Sequence, residues 1–376
     1  MTTVAVCGGG IGGLATAIAL RKFGLDVTVY EQTRQFARVG ADINLTPNAV
    51  RALDGLGVGP AIRESAARPQ FRISRTWDTG AETSRLPMGD SAEQQYGAPQ
   101  LTMHRGDLMT ALENRLPSGV VEMGRRVSGV AGGRIEFADG SSVSADVIVG
   151  ADGIHSAVRT SLLGREQPTF TGVVAFRAVV PTERVGNLPN LDCFTKWWGP
   201  DPSTQIVTFP LNQGKDIFVF ATCAQEAWTE ESWTTPGSVT ELRELYRDFH
   251  PEARALLDAC DDVLKSALYV RDPLASWTDG RSVLLGDAAH PMMPFMAQGA
   301  GMAIEDAVVL SRCLSLFDDP AVALQTYQDT RLQRTSRIQR GSRSNEWLKV
   351  AGNGDWVYEY DAWYVPLELA AARTDA

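Results

Sequence analysis

Residues 3–31 read TVAVCGGGIGGLATAIALRKFGLDVTVYE. An apolar, β-prone run from Thr3 to Cys7 meets a glycine cluster, and a helix-period stretch rich in Ala and Leu follows from Ile11 to Phe23. Gly8, Gly10 and Gly13 fit the spacing G-x-G-x-x-G. In that spacing the first glycine permits a tight turn and the second lets backbone approach a pyrophosphate. The third lets the helix pack closely on the strand, while the helix N-terminus offers free N–H groups and positive dipole. A second apolar run, Asp26 to Tyr30, ends at Glu31, 18 residues beyond Gly13, where an acid can accept ribose hydroxyls. Strand, turn, helix, strand and terminal acid in this order predict a dinucleotide site rather than a linker or a merely structural turn. Gly12 within this stretch and Gln32 directly after it join the expected cofactor-binding set.

Working outward, 376 residues suffice for one large or two medium domains with an ample core. The formal net charge of -10 disfavours nucleic acid or an anionic membrane surface as a partner, because both require a basic footprint. No apolar run reaches the roughly 18 residues of a membrane span, and no signal-peptide layout precedes the first strand. The five cysteines are scattered, without a CxxC pair or a metal spacing, so reduced thiols and a cytoplasmic location are expected. With four histidines and no HExxH, no metal site is expected.

Three later stretches decide which dinucleotide binds. Residues 104–108 read HRGDL before a helical MTALENRL; taken alone, this is a helix entry capped near Asp107. Residues 146–159 read DVIVGADGIHSAVR, a buried strand followed by a turn at Asp152-Gly153 and then a helix. Residues 283–307 read VLLGDAAHPMMPFMAQGAGMAIEDA: a strand, Gly286-Asp287, a Pro-rich loop and a helix of small residues. A carboxylate at the end of a buried strand can bind sugar or ribityl hydroxyls through charge-assisted hydrogen bonds. The helix opening at Gly299-Ala300 can turn free N–H groups toward an anionic ring. Each stretch alone is compatible with an ordinary strand-to-helix turn.

In this order behind the glycine turn, these stretches resemble the single-component FAD-dependent aromatic hydroxylases, and the resemblance covers most of the chain. It implies that Asp287 binds the ribityl or ribose region of FAD and that Arg105 contacts the cofactor. It also implies that Asp152 lies beside FAD and the nicotinamide donor, and that Val127, Gly299 and Ala300 belong to the cofactor shell. The expected fold is α/β, a Rossmann-like FAD-binding domain interleaved with a mixed-sheet substrate domain. Alternating strands at 172–180, 192–198, 204–211 and 216–223 supply that sheet, and two amphipathic helical stretches follow it. Segments 1–74, 100–170 and 272–350 are assigned to the FAD domain, 75–99 and 171–271 to the substrate domain. The aromatic-rich 351–376 is expected to pack on the FAD domain. The threefold arginine spacing in RLQRTSRIQRGSR (331–343) predicts a solvated helix.

The resemblance further implies the chemistry. NADH or NADPH reduces the flavin, dioxygen is trapped as a flavin C4a-hydroperoxide, and its distal oxygen attacks an electron-rich ring. The absence of a second G-x-G-x-x-G agrees with a nicotinamide that visits transiently. Within the family, the motifs are most like members acting on pyridine and hydroxybenzoate carboxylates, so a small aromatic acid is the expected substrate, with or without decarboxylation. Those members place a histidine after the "GA-I" segment and a tyrosine on a substrate-domain strand; here Asn44 and Thr208 or Phe209 stand there. Asn44, Phe209 and His290 are therefore the candidate catalytic residues, with His290 left as the candidate base. A monomer or homodimer is expected. Another phenolic tailoring reaction, a flavin-dependent oxidoreductase and a non-catalytic FAD-binding protein are the alternatives.

Overall fold

The computed structural model describes residues 2–36, 42–228, 235–343 and 354–369. Its first sheet is parallel throughout, in the order Ser282–Leu284, Val147–Gly150, Thr3–Cys7, Asp26–Glu31, Val121–Met123. Val147–Gly150 is buried at every residue, as expected of a parallel strand covered on both faces. The helix Ile11–Lys22 packs on Thr3–Cys7 and Asp26–Glu31 of this sheet, and Gly299–Leu316 packs on that helix. The strand order has one consequence for function. The loops after Cys7, Gly150 and Leu284 leave the carboxyl ends of three adjacent strands, so the glycine turn, Asp152-Gly153 and Gly286-Asp287 converge.

The second large sheet is mixed and has seven strands. Their order is Leu264–Val270, Thr169–Pro181, Asp216–Ala224, Gln205–Leu211, Phe194–Trp198, Phe71–Thr76, Glu82–Pro87. All neighbours are antiparallel except Phe194–Trp198 with Phe71–Thr76. Alternation gives the sheet two apolar faces. Val174, Phe176, Ile206 and Val219 form one core with Tyr246, Leu256 and Leu257, below the helices Val239–Leu245 and Pro251–Asp258. Val207, Phe209, Phe218 and Phe220 face the other way, toward Met293. The boundaries drawn at 74/75 and 170/171 fall inside the strands Phe71–Thr76 and Thr169–Pro181. The smaller pair Ile43–Leu45 and Leu101–Met103 is antiparallel and touches the mixed sheet where Thr102 Oγ1 donates to the Pro210 carbonyl at 2.7 Å, so the parallel-sheet lobe and the mixed-sheet lobe meet here.

The solvated helix expected at 331–343 is overturned at its first two arginines. Within the helix Pro320–Gly341, Arg331 is fully buried. It donates to Asp306 Oδ1 and Glu305 Oε2, each at 2.7 Å. Arg334 reaches Glu305 through two bonds at 2.9 and 3.0 Å. The partners stand on the neighbouring helix, 25 or more residues away, so no local charge pattern announces them. The described tail residues are held by two helices: Arg51 of Pro47–Leu56 donates to the Tyr358 and Tyr360 carbonyls at 2.7 Å, and Arg312 of Gly299–Leu316 to those of Ala362 and Val365 at 2.7 and 2.9 Å. Residues 351–353 and 370–376 of the assigned tail, and 344–350 of the assigned FAD segment, lie outside the described residues. No helix among the described residues is long and apolar enough to cross a membrane.

Candidate active site

Four glycines of the opening turn each have a separate reason to lack a side chain. Gly8 has φ +104°, a backbone conformation that L side chains rarely adopt. A Cβ on Gly13 would lie 1.9 Å from the Gly8 carbonyl oxygen. On Gly12 it would lie 2.6 Å from Leu285 Cδ2, so this glycine sets the helix against the sheet. A Cβ on Gly10 would meet nothing within 4 Å, because Gly10 lines an open cavity. That open cradle at a helix N-terminus fits a pyrophosphate. Glu31 closes the turn from behind: Oε2 accepts from Gly9 N at 2.7 Å and Oε1 from Thr33 N at 2.8 Å. A carboxylate has further lone pairs, so these bonds leave acceptor capacity for a ribose hydroxyl.

The cavity occupies about 660 Å³ between the two sheets. Arg105, Asp287, Gly299 and Ala300 line it together with Gly10 and Gly12. Asp287 is accessible through this space, although protein surrounds its carboxyl. Burial pushes its carboxyl up, and the charges of His290 and Arg105 oppose that shift. Gly299 and Ala300 open the helix Gly299–Leu316, whose first turn carries no acid. Gln298, the residue before them, is held by Thr46 and Asn48 at 2.8 and 3.1 Å.

Some predicted residues stand elsewhere. Asp152 caps the helix Ala157–Leu163: it accepts from Ser156 Oγ and from the amides of Ala157 at 2.7 Å and Val158 at 3.2 Å. Its neighbours Ala151, Gly153, Ile154 and His155 line the cavity instead. Gln32 is exposed and Val127 half-buried, both outside the cavity. The Arg125 amide, which donates to the Glu31 carbonyl at 2.7 Å, brings the start of the Val127–Ala131 strand beside that acid.

The structure corrects the role of His290. Its ring is buried outside the cavity, with Nε2 2.6 Å from Asp306 Oδ2. Burial pushes the Asp306 carboxyl up, but the charges and hydrogen bonds of His290 and Arg331 outweigh it and hold the group below the ordinary range. His290 thus belongs to the ion cluster beneath the Gly286-Asp287 loop rather than to the cavity wall.

Asn44 and Phe209 do line the cavity. Phe209 stacks on Phe194 with ring centroids 5.1 Å apart, and Phe218 and Phe220 extend the aromatic wall. Asn44 Oδ1 accepts from Gln100 Nε2 at 2.7 Å, while its buried Nδ2 has no partner among the described residues. This leaves one amide donor available to a ligand. Sequence reasoning missed the charged groups of the same chamber: Asp42, Arg72, Arg177 and Lys196. Arg177 hydrogen-bonds Ser266 Oγ, and burial pushes its pKa down to about 10 while Asp42 opposes the shift. Burial pushes Asp42 up to about 6, with Arg177 again opposing. Arg72, Arg177 and Lys196 come from separate strands and Asp42 from the segment before another, so no spacing links them.

The residues present fit FAD: an open pyrophosphate cradle, an acid behind it, and Asp287, Arg105 and a helix N-terminus along one continuous cavity. The family described as FAD binding domain matches residues 1–342. The chain belongs to this family. It is 41% identical over 371 residues to 6-hydroxynicotinate 3-monooxygenase of Bordetella bronchiseptica, covering 97% of this chain and 96% of that protein. It is 38% identical over 345 residues to a 3-amino-4-hydroxybenzoate 2-monooxygenase of Streptomyces platensis, covering 90% and 86%. Among solved structures, a salicylate hydroxylase substrate complex superposes with TM-score 0.82 at 27% identity, covering 96% of each chain. HpxO of Klebsiella pneumoniae complexed with FAD and uric acid gives TM-score 0.82 at 25% identity, covering 95% and 92%. The chain is an FAD-dependent aromatic monooxygenase.

Proposed function

We propose that the enzyme hydroxylates a small aromatic or pyridine carboxylate, with NADH or NADPH as reductant. Carbon dioxide is lost where the carboxylate sits on the hydroxylated carbon. The observation that carries this reading is the chamber beyond the glycine turn, where an aromatic wall meets the cations Arg72, Arg177 and Lys196. A flat ring fills such a wall, and an anionic substituent answers its charge. FAD, held by the glycine turn, Glu31, Arg105 and Asp287, supplies the activation of dioxygen when bound.

The chain's own residues do the rest. Phe209 and its neighbours exclude water and hold the ring plane. Asn44 does not titrate, so its Nδ2 orients a ring oxygen. Asp42, pushed up to about 6, is suited to take the proton of a substrate hydroxyl near neutrality, the role expected of His290. The relatives' names put 6-hydroxynicotinate first on a substrate panel, with salicylate and aminohydroxybenzoates after it. The test is substrate-stimulated oxidation of NADH and NADPH, with product mass read for an added oxygen and a lost carboxylate. Stimulation by uncharged phenols but by no ring acid would sink the proposal.

A further inference from the structure

Arg72 lies on the strand Phe71–Thr76, opposite Phe194 in the parallel pairing. It is 8% exposed, and its guanidinium carbon sits 4.4 Å from the Phe194 ring centroid. The buried arginines Arg159 and Arg331 each have a carboxylate partner, at 2.6 and 2.7 Å. Arg72 has none within ion-pair distance among the described residues. Burial pushes its pKa below the ordinary arginine value, with the Tyr358 hydroxyl the opposing influence. Burying a charge without an opposite one is costly unless a ligand supplies it.

The surroundings indicate which ligand. Arg72 lines both the main cavity and a side chamber of about 170 Å³ bounded by Met88, Gln100 and Tyr358. Asp355 also borders the side chamber, but accepts from Tyr96 Oη at 2.6 Å. One face of the guanidinium is covered by Phe194. Its N–H edge presents the planar fork that matches a carboxylate with two parallel hydrogen bonds. Arg177 already faces Asp42 and bonds Ser266, and Lys196 holds its ammonium 3.5 Å from the Trp198 ring centroid.

We propose that Arg72 is the specificity-determining residue that receives the ring carboxylate of the substrate. This rests on the reading above that the substrate is a small aromatic acid. The test is direct binding to the FAD-loaded enzyme, read from the change in flavin absorbance. Two pairs serve as probes: 6-hydroxynicotinate with 6-hydroxynicotinamide, and salicylate with salicylamide.

In the wild type the acid binds more tightly than its amide. Arg72→Gln weakens acid binding by about ten- to a hundredfold, as loss of a charge-assisted pair requires, and leaves the amide where it was. Arg72→Lys, which keeps the charge and loses the planar fork, restores part of the preference. An acid preference undiminished in Arg72→Gln overturns the assignment while sparing the substrate class. A wild type that binds acid and amide alike overturns the substrate class, and this assignment with it. If Arg72→Gln does not accumulate as folded protein, Arg72→Lys decides: a reduced acid preference supports the assignment and an unchanged one overturns it.

Discussion

A Cβ built on Gly10 meets no heavy atom within 4 Å, whereas one on Gly13 would sit 1.9 Å from the Gly8 carbonyl oxygen. Gly10→Val is therefore expected to fold and melt like the wild-type apoprotein but to bind little FAD, because its branch enters the cradle. Gly13→Ala is expected to lose about 1–3 kcal/mol of stability, as overpacking does. Flavin content after desalting and thermal melts of the apoproteins separate the two, and stoichiometric FAD in Gly10→Val would refute the cradle. Asp42 supports a second prediction. Its raised pKa means the folded state holds a proton that the unfolded chain has released. Its stabilising contribution is therefore present below about pH 4 and lost as pH rises through about 6. In the chamber, protonation below about pH 6 removes a negative charge beside Arg177. Kd for a ring acid should therefore fall as pH drops from 7.5 to 5.5, while kcat falls because the base is occupied. Asp42→Asn should flatten the acid's binding profile and lower kcat throughout; pH profiles of both quantities check this. The glycines were legible because backbone stereochemistry is local. Asp42, Arg72 and Arg177 were not, because they lie far apart in sequence and only the folded chain brings them to one cavity.

At the scale of elements, the strand-turn-helix motifs were legible, since each is one continuous stretch with its own period. The pairing of helices was not. The arginines at 331–343 look solvated in sequence, yet Arg331 and Arg334 neutralise Glu305 and Asp306 on the adjacent helix. The same Asp306 accepts from Gly286 N at 3.2 Å and pairs with His290, so the cluster fastens two helices to the Gly286-Asp287 loop. This explains why the histidine beside a cofactor motif is structural. Removing one member of a buried pair leaves the other charge uncompensated, which costs about 3–5 kcal/mol. Arg331→Met should lose that much in urea unfolding of the apoprotein, whereas Arg340→Ala, at an exposed position of the same helix, should change stability by less than about 0.5 kcal/mol. Equal losses in the two variants would mean that the cluster does not hold the helices together.

For the whole molecule, the cavity draws its walls from both sheets: Gly10, Gly12 and Asp287 from loops of the parallel sheet, Val207, Phe209 and Phe218 from the mixed one. A ligand filling it stabilises the folded chain by mass action, about 2.7 kcal/mol at a hundredfold excess over Kd. For a chain of 376 residues that corresponds to a rise in Tm of about 3 °C. FAD should produce this rise in the apoprotein, growing with concentration. FMN should produce less at equal excess over protein, since it has no adenosine to engage Glu31 and no pyrophosphate for the glycine turn. Hydrogen exchange then asks whether the lobes act as one. If the cavity joins them, FAD slows exchange of the amides in Thr3–Cys7 and also in Gln205–Leu211, which lies in the other sheet. Protection confined to the first strand would mean that the cofactor stabilises one lobe alone, and that the aromatic chamber is organised only when a ring acid enters it.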